Sequence, residues 1–188
     1  MPVRNLLAIL TFALAAPALA KEPMRSPGVA IGTKAPTALP LKDSKGAPTT
    51  LAAQMGKKGL VLVLVRSADW CPYCKAQLIA LSDIKADVTR RGYGLAALSY
   101  DAPEKLTGFA QSRGLTYTLL SDQQSRTIDA LGLRDPQYKG MARIDGVPIA
   151  TTLVLARDGA VKARHSSDNY RIRQGNAELL SMLDRVKP

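Results

Sequence analysis

The chain holds only two cysteines, one histidine and one tryptophan in 188 residues, and aromatic residues make up 5 % of it. Two cysteines exclude a disulfide-rich scaffold. Two cysteines and one histidine also fall short of the four protein ligands of a structural zinc site, unless carboxylates join them or chains combine. A dense basic run interleaved with aromatics is missing too: Lys42, Lys45, Lys57, Lys58, Arg90, Arg91, Arg143, Arg171 and Arg173 are scattered. The formal charge of +11 therefore reads as a solvated basic surface, not as a nucleic-acid interface. No apolar run reaches the ~20 residues of a comfortable membrane span.

What is present is a core. Hydrophobic residues make up 46 % of the chain and charged residues 22 %, at a length that suits one domain. The first twenty residues stand apart. Arg4 precedes the apolar stretch Leu6–Ala16, and Ala18-Leu19-Ala20 closes it. A basic start, an apolar middle and a small-x-small end make a secretory signal peptide, with cleavage expected after Ala20. An uncleaved anchor is the alternative. Export to the periplasm or medium follows from the first reading, with no stable membrane insertion after cleavage. Residues 21–30, with Pro23, Pro27 and Gly28, read as a loose leader, and 31–188 as one domain.

Breakers between Ile31 and Gly59 permit short strands and turns. Leu60–Val65 is a continuous aliphatic run, which predicts a strand buried on both faces. Leu78, Leu81, Ile84 and Val88 recur at helical spacing, and Gly92 and Gly94 are expected to stop that helix. Leu95–Tyr100 predicts a second buried strand. Asp101-Ala102-Pro103-Glu104 reads as a helix start with an acidic cap. A third strand is expected at Thr116–Leu120 and a short helix at Ser125–Leu131. Leu133–Gly146 has no clear period. Strands are expected at Thr151–Ala156 and Ala160–His165, joined by a turn at Asp158-Gly159, and a closing helix at Asn176–Val186. The order β-α-β-α-β-α-β-β-α predicts one α/β domain.

Both cysteines sit in Trp70-Cys71-Pro72-Tyr73-Cys74, directly after the first buried strand and at the start of the first strong helix. Pro72 suits the first helical position. Cys71 then faces unpaired N–H groups and the positive end of the helix dipole, which favours a thiolate. Cys74 lies one turn further in, placed to resolve what forms on Cys71. A structural disulfide, metal binding and two unreactive core cysteines are the other readings of the pair. A structural bridge across two residues contributes little, because the gain grows with loop length.

The string Arg66-Ser67-Ala68-Asp69-Trp70-Cys71-Pro72-Tyr73-Cys74-Lys75-Ala76-Gln77-Leu78 resembles the peroxiredoxin-like branch of the thioredoxin superfamily, the redoxin or alkyl hydroperoxide reductase/thiol-specific antioxidant family. Ile31-Gly32-Thr33-Lys34-Ala35-Pro36 and Leu119-Leu120-Ser121-Asp122 are similar to other parts of that branch, so the resemblance runs from about residue 31 to 186. It implies a thioredoxin-like fold, a central mixed sheet flanked by helices, with the active cysteine at a helix N-terminus. It also implies a thiol-based oxidoreductase with no dissociable cofactor. The partners implied are a thiol or disulfide protein and a hydroperoxide.

Two departures stand out. Peroxidatic members carry Thr or Ser three residues before the cysteine, where this chain has Ala68, with Ser67 one place off. They also carry an Arg near the start of a late strand, where this chain has Ala150. Arg143 and Arg126 are the stand-ins the sequence offers. Disulfide reductases of the superfamily place a cis-proline opposite the cysteines, and Pro148 is the candidate here. Trp70, Pro72, Tyr73 and Asp69 are expected to wall or support the site. Three functions stay open: protein disulfide exchange, a thiol peroxidase with an intramolecular resolving cysteine, and a metal carrier using both thiolates and His165. The first gains from a cis Pro148, the second from an arginine within reach of Cys71.

Overall fold

The computed structural model describes Met1, residues 28–167 and residues 169–186. The expected signal peptide and most of the leader lie outside the described residues. No helix among the described residues is long and apolar enough to cross a membrane.

The aliphatic run becomes the middle of the sheet. Strand β3 (Gly59–Leu64) lies between β4 (Tyr93–Ser99), parallel to it, and β6 (Thr151–Ala156), antiparallel to it. Side chains alternate across a strand, so a strand covered on both faces must be apolar throughout. Val61, Val63 and Val65 pack with Leu78, Leu81, Leu106 and Leu179 on one face. Leu60, Leu62 and Leu64 pack with Leu51, Leu98, Ile128 and Leu131 on the other. Each such side chain contributes about 1.5–3 kcal/mol by leaving water.

The remaining strands are β1 (Leu41–Asp43), β2 (Pro48–Thr49), β5 (Thr118–Ser121) and β7 (Val161–Ser166). The sheet order is β2-β1-β5-β4-β3-β6-β7. Helices α1 (Pro72–Arg90) and α2 (Pro103–Arg113) connect the parallel strands β3, β4 and β5, while α3 (Arg126–Ala130) and α4 (Asn176–Arg185) follow later in the chain. This is the mixed, helix-flanked sheet expected from the sequence. The Asp158-Gly159 turn joins β6 to β7 as an antiparallel hairpin.

Two local expectations need correction. Gly94 does not end α1. That helix closes at Arg91, Gly92 follows with φ +88°, and Gly94 lies inside β4. A Cβ on Gly94 would come within 1.9 Å of the Gln54 carbonyl oxygen, so close backbone approach explains the glycine. Nor is Asp101 the cap of α2. The cap residue is Ala102, with no side-chain bond, because the Asp101 carboxylate turns inward.

Candidate active site

At the carboxyl end of β3 the chain turns through residues 65–70 and enters α1. Cys71 is the N-cap residue, with φ −93° and ψ 107°, and Pro72 occupies the first turn. The Cys71 Sγ accepts a hydrogen bond from the Cys74 N–H at 3.3 Å. The two cysteines form a disulfide with Cα atoms 5.3 Å apart, and both are buried, at 1 % and 0 % exposure.

A buried carboxylate holds the turn. Asp101 stands just past the end of β4, which runs beside β3. Its Oδ1 accepts from Ser67 Oγ at 2.8 Å, and its Oδ2 accepts from the Ala68 N–H at 2.7 Å and from Ser99 Oγ at 2.9 Å. Burial pushes this carboxyl above the usual carboxylate range, against the pull of those three donors. Ser67 Oγ in turn accepts from the N–H groups of Asp69 and Trp70, at 2.9 and 3.2 Å. The hydroxyl one place away from the expected position is thus spent on shaping the loop.

Two arginines supply the charge. Arg173 Nη2 lies 3.4 Å from Cys74 Sγ and 3.9 Å from Cys71 Sγ. Its Nη1 donates to the carbonyls of Tyr170 and Ile172. Burial, then the nearby Arg66 charge, push its pKa down to about 10, so it stays a cation at neutral pH. Arg66 follows β3 and is buried at 5 % exposure. Its guanidinium stacks over Trp70, Tyr138 and Tyr170, at 5.0, 5.0 and 4.3 Å from the ring centres, and donates to the Tyr138 hydroxyl. Among the described residues neither arginine has a carboxylate at ion-pair distance. The Arg173 charge is therefore free to act on the sulfurs, while that of Arg66 rests on the three rings.

The expected wall residues are placed as follows. Trp70 is 40 % exposed and its Nε1 donates to the Tyr100 hydroxyl at 3.0 Å. Tyr73 is also partly exposed and meets Tyr170 edge-on, with ring centres 6.0 Å apart. Asp69 pairs with Lys105 at 3.2 Å on the surface. Pro148 needs correction: no described peptide bond is cis. The surrounding backbone is internally bonded. The Val147 N–H donates to the Ile144 carbonyl, the Val147 carbonyl accepts from Asp135, and the Ile149 N–H donates to the Leu133 carbonyl. The Val147 N–H and carbonyl and the Ile149 N–H are therefore not available to pair with a substrate strand.

The two stand-in arginines are elsewhere. Arg126 lines a cleft with Pro40, Leu41 and Pro48 at the far edge of the sheet. Arg143 contributes only its carbonyl, to the Tyr100 hydroxyl. Sequence reasoning missed Arg66, Asp101, Tyr138, Tyr170 and Arg173. A signal existed for Arg66, a charge ending an otherwise apolar strand; none existed for Arg173. His165 pairs with Glu178 at 3.3 Å, and no group of three or more His, Cys, Asp or Glu among the described residues could hold a metal ion.

Chemically, a thiolate at this helix start would face oriented N–H groups and the Arg173 cation, with a second thiol one turn away. Residues 31–164 match the AhpC/TSA family. A putative peroxiredoxin of Mycobacterium tuberculosis is 34 % identical over 130 residues, covering 69 % of this chain and 80 % of that protein. Peroxiredoxin Bcp of Escherichia coli is 28 % identical over 143 residues, covering 76 % and 88 %. Among solved structures, peroxidoxin BcpB of Mycobacterium tuberculosis superposes with a TM-score of 0.71 at 22 % identity, covering 84 % of this chain and 98 % of that one, which is a likeness of fold.

Proposed function

The chain belongs to the AhpC/TSA family, and from that premise we propose that it is an exported thiol peroxidase that completes its cycle by dithiol–disulfide exchange. As a member of this family it is a thiol-based oxidoreductase of peroxiredoxin type. The observation that carries the finer reading is Arg173 Nη2 beside both sulfurs. It supplies the cation that Ala150 had left missing.

In this reading Cys71 is the nucleophile. Its thiolate attacks one peroxide oxygen. The S–O bond forms, the O–O bond breaks, and the released oxygen takes a proton and leaves as alcohol, or as water from hydrogen peroxide. Arg173 stabilises first the thiolate and then the charge growing on the departing oxygen. The Cys74 thiol attacks the resulting sulfenic sulfur, closes the disulfide, and its proton leaves with the hydroxyl as water. An external dithiol returns two electrons by exchange. Asp101 holds the cysteine loop, and Trp70 and Tyr73 form its outer wall. No step requires a dissociable cofactor. Oxidation of Cys74→Ser with one equivalent of hydrogen peroxide should leave one trappable sulfenic acid, and Cys71→Ser none. A sulfenic acid on Cys74 alone reverses the assignment.

The reading also places the protein outside the cytoplasm, through the signal peptide proposed for residues 1–20. N-terminal sequencing of the mature protein should begin at Lys21. A chain that retains residues 1–20 would instead be anchored or internal.

A further inference from the structure

Seven buried side-chain polar atoms lack a hydrogen-bond partner among the described groups, and four of them lie together. Gln77 Oε1, His165 Nε2, Arg173 Nε and Gln174 Oε1 belong to residues that line one cavity beneath the arginine that faces the disulfide. The cavity is about 10 Å³, room for a single water molecule. The four atoms come from three separate parts of the chain: Gln77 from α1, His165 from β7, and Arg173 with Gln174 from the segment before α4, while Thr151 and Thr152 of β6 also line the cavity.

We propose that this cavity is a binding site for one ordered water, and that the water positions Arg173 against the cysteine sulfurs. The guanidinium is otherwise fully accounted for. Nη1 is held by two carbonyls of its own segment, Nη2 meets the two sulfurs, and only Nε has no protein acceptor. A buried N–H left without an acceptor costs about 1–3 kcal/mol. A water accepts that hydrogen and gives its own two hydrogens to acceptors across the cavity. Three acceptors are there: the two glutamine oxygens, and His165 Nε2 while Nδ1 carries the hydrogen toward Glu178. A water with three or more polar partners in a space of its own size is the kind that stays. Gln77 and Gln174 are then positioning residues, acting on the sulfurs through the water and the arginine. The site does not depend on peroxide being the oxidant, because it is defined by Arg173 and the sulfurs alone.

The test has two parts. A crystal structure of the oxidised protein at high resolution should show one water within hydrogen-bond distance of Arg173 Nε and at least two of the other three atoms. Iodoacetamide alkylation of Cys71 in the reduced protein, followed against pH, reads the effect. Gln77→Leu and Gln174→Met should each slow alkylation near neutral pH by roughly twofold, the net effect of about half a pKa unit on the thiol once the higher nucleophilicity of a more basic thiolate is counted. A dry cavity, or a water that does not touch Arg173, overturns the site. A bound water with unchanged alkylation in both variants overturns the positioning role. A failure of peroxidase activity would touch neither result, so the two readings fail separately.

Discussion

Replacing Arg173 by Met keeps the length of the side chain and removes the charge beside the sulfurs. At 3.9 Å an arginine and a thiolate attract by about 4 kcal/mol at an effective dielectric of 20, which is an upper bound. A hydrogen bond to a charged group is worth about 1.5–3 kcal/mol net. Divided by 1.36 kcal/mol per unit, that raises the Cys71 pKa by about one to two units. A more basic thiolate is also a better nucleophile, with a Brønsted coefficient of about 0.4–0.5, so only about half of the loss survives in the rate. Alkylation of Arg173→Met by iodoacetamide near pH 7 should therefore fall roughly three- to tenfold. Peroxide should suffer more, because the same guanidinium loses its hold on the departing oxygen; the peroxide rate should drop at least about tenfold beyond the alkylation rate. Stopped-flow mixing of reduced wild type and variant with each reagent measures both ratios. Equal losses with the two reagents would show that Arg173 serves the thiolate only. No loss with either would refute its role.

Three more outcomes follow from the same geometry. Asp101→Ala leaves the Ala68 N–H and two hydroxyls without their acceptor and should cost about 1–3 kcal/mol at pH 7 in urea unfolding. Burial raises the Asp101 carboxyl in the fold, so its contribution is greatest at low pH and is lost as pH rises from the ordinary carboxylate range through the raised value; that component of the pH slope should vanish in the variant. Arg66→Met removes a cation stacked on three rings, worth about 0.5–2 kcal/mol each, and should speed hydrogen exchange around Tyr138 and Tyr170 while β3 and β4 stay protected; unchanged exchange there would mean the rings hold their segments without it. Gly94→Ala should lower stability by about 1–3 kcal/mol in the same urea assay, since its Cβ meets a backbone oxygen that has little room to move.

The parts legible in the sequence are those governed by local pattern. Leu60–Val65 announced a two-faced buried strand, Leu78 to Val88 the buried face of α1, Asp158-Gly159 a hairpin, and Cys71-Pro72 a helix start, and each depends on neighbours within a few residues. The hidden parts are those in which a distant group competes for a side chain. Asp101 has the local grammar of a helix cap, yet three buried donors near the cysteine loop take its carboxylate. Arg173 stands 99 residues after Cys74, and only the path of the chain between β7 and α4 brings it to the sulfurs. Pro148 had the residue type of a substrate-facing turn, but the backbone groups of Val147 and Ile149 on either side of it bond to Ile144, Asp135 and Leu133 instead.

The most direct measurement of the central claim is the second-order rate of hydrogen peroxide with the reduced protein, followed by the fluorescence of Trp70, the sole tryptophan, which adjoins Cys71. The account predicts a fast change, absent in Cys71→Ser and slowed in Arg173→Met. A rate no better than that of a free thiol would contradict it.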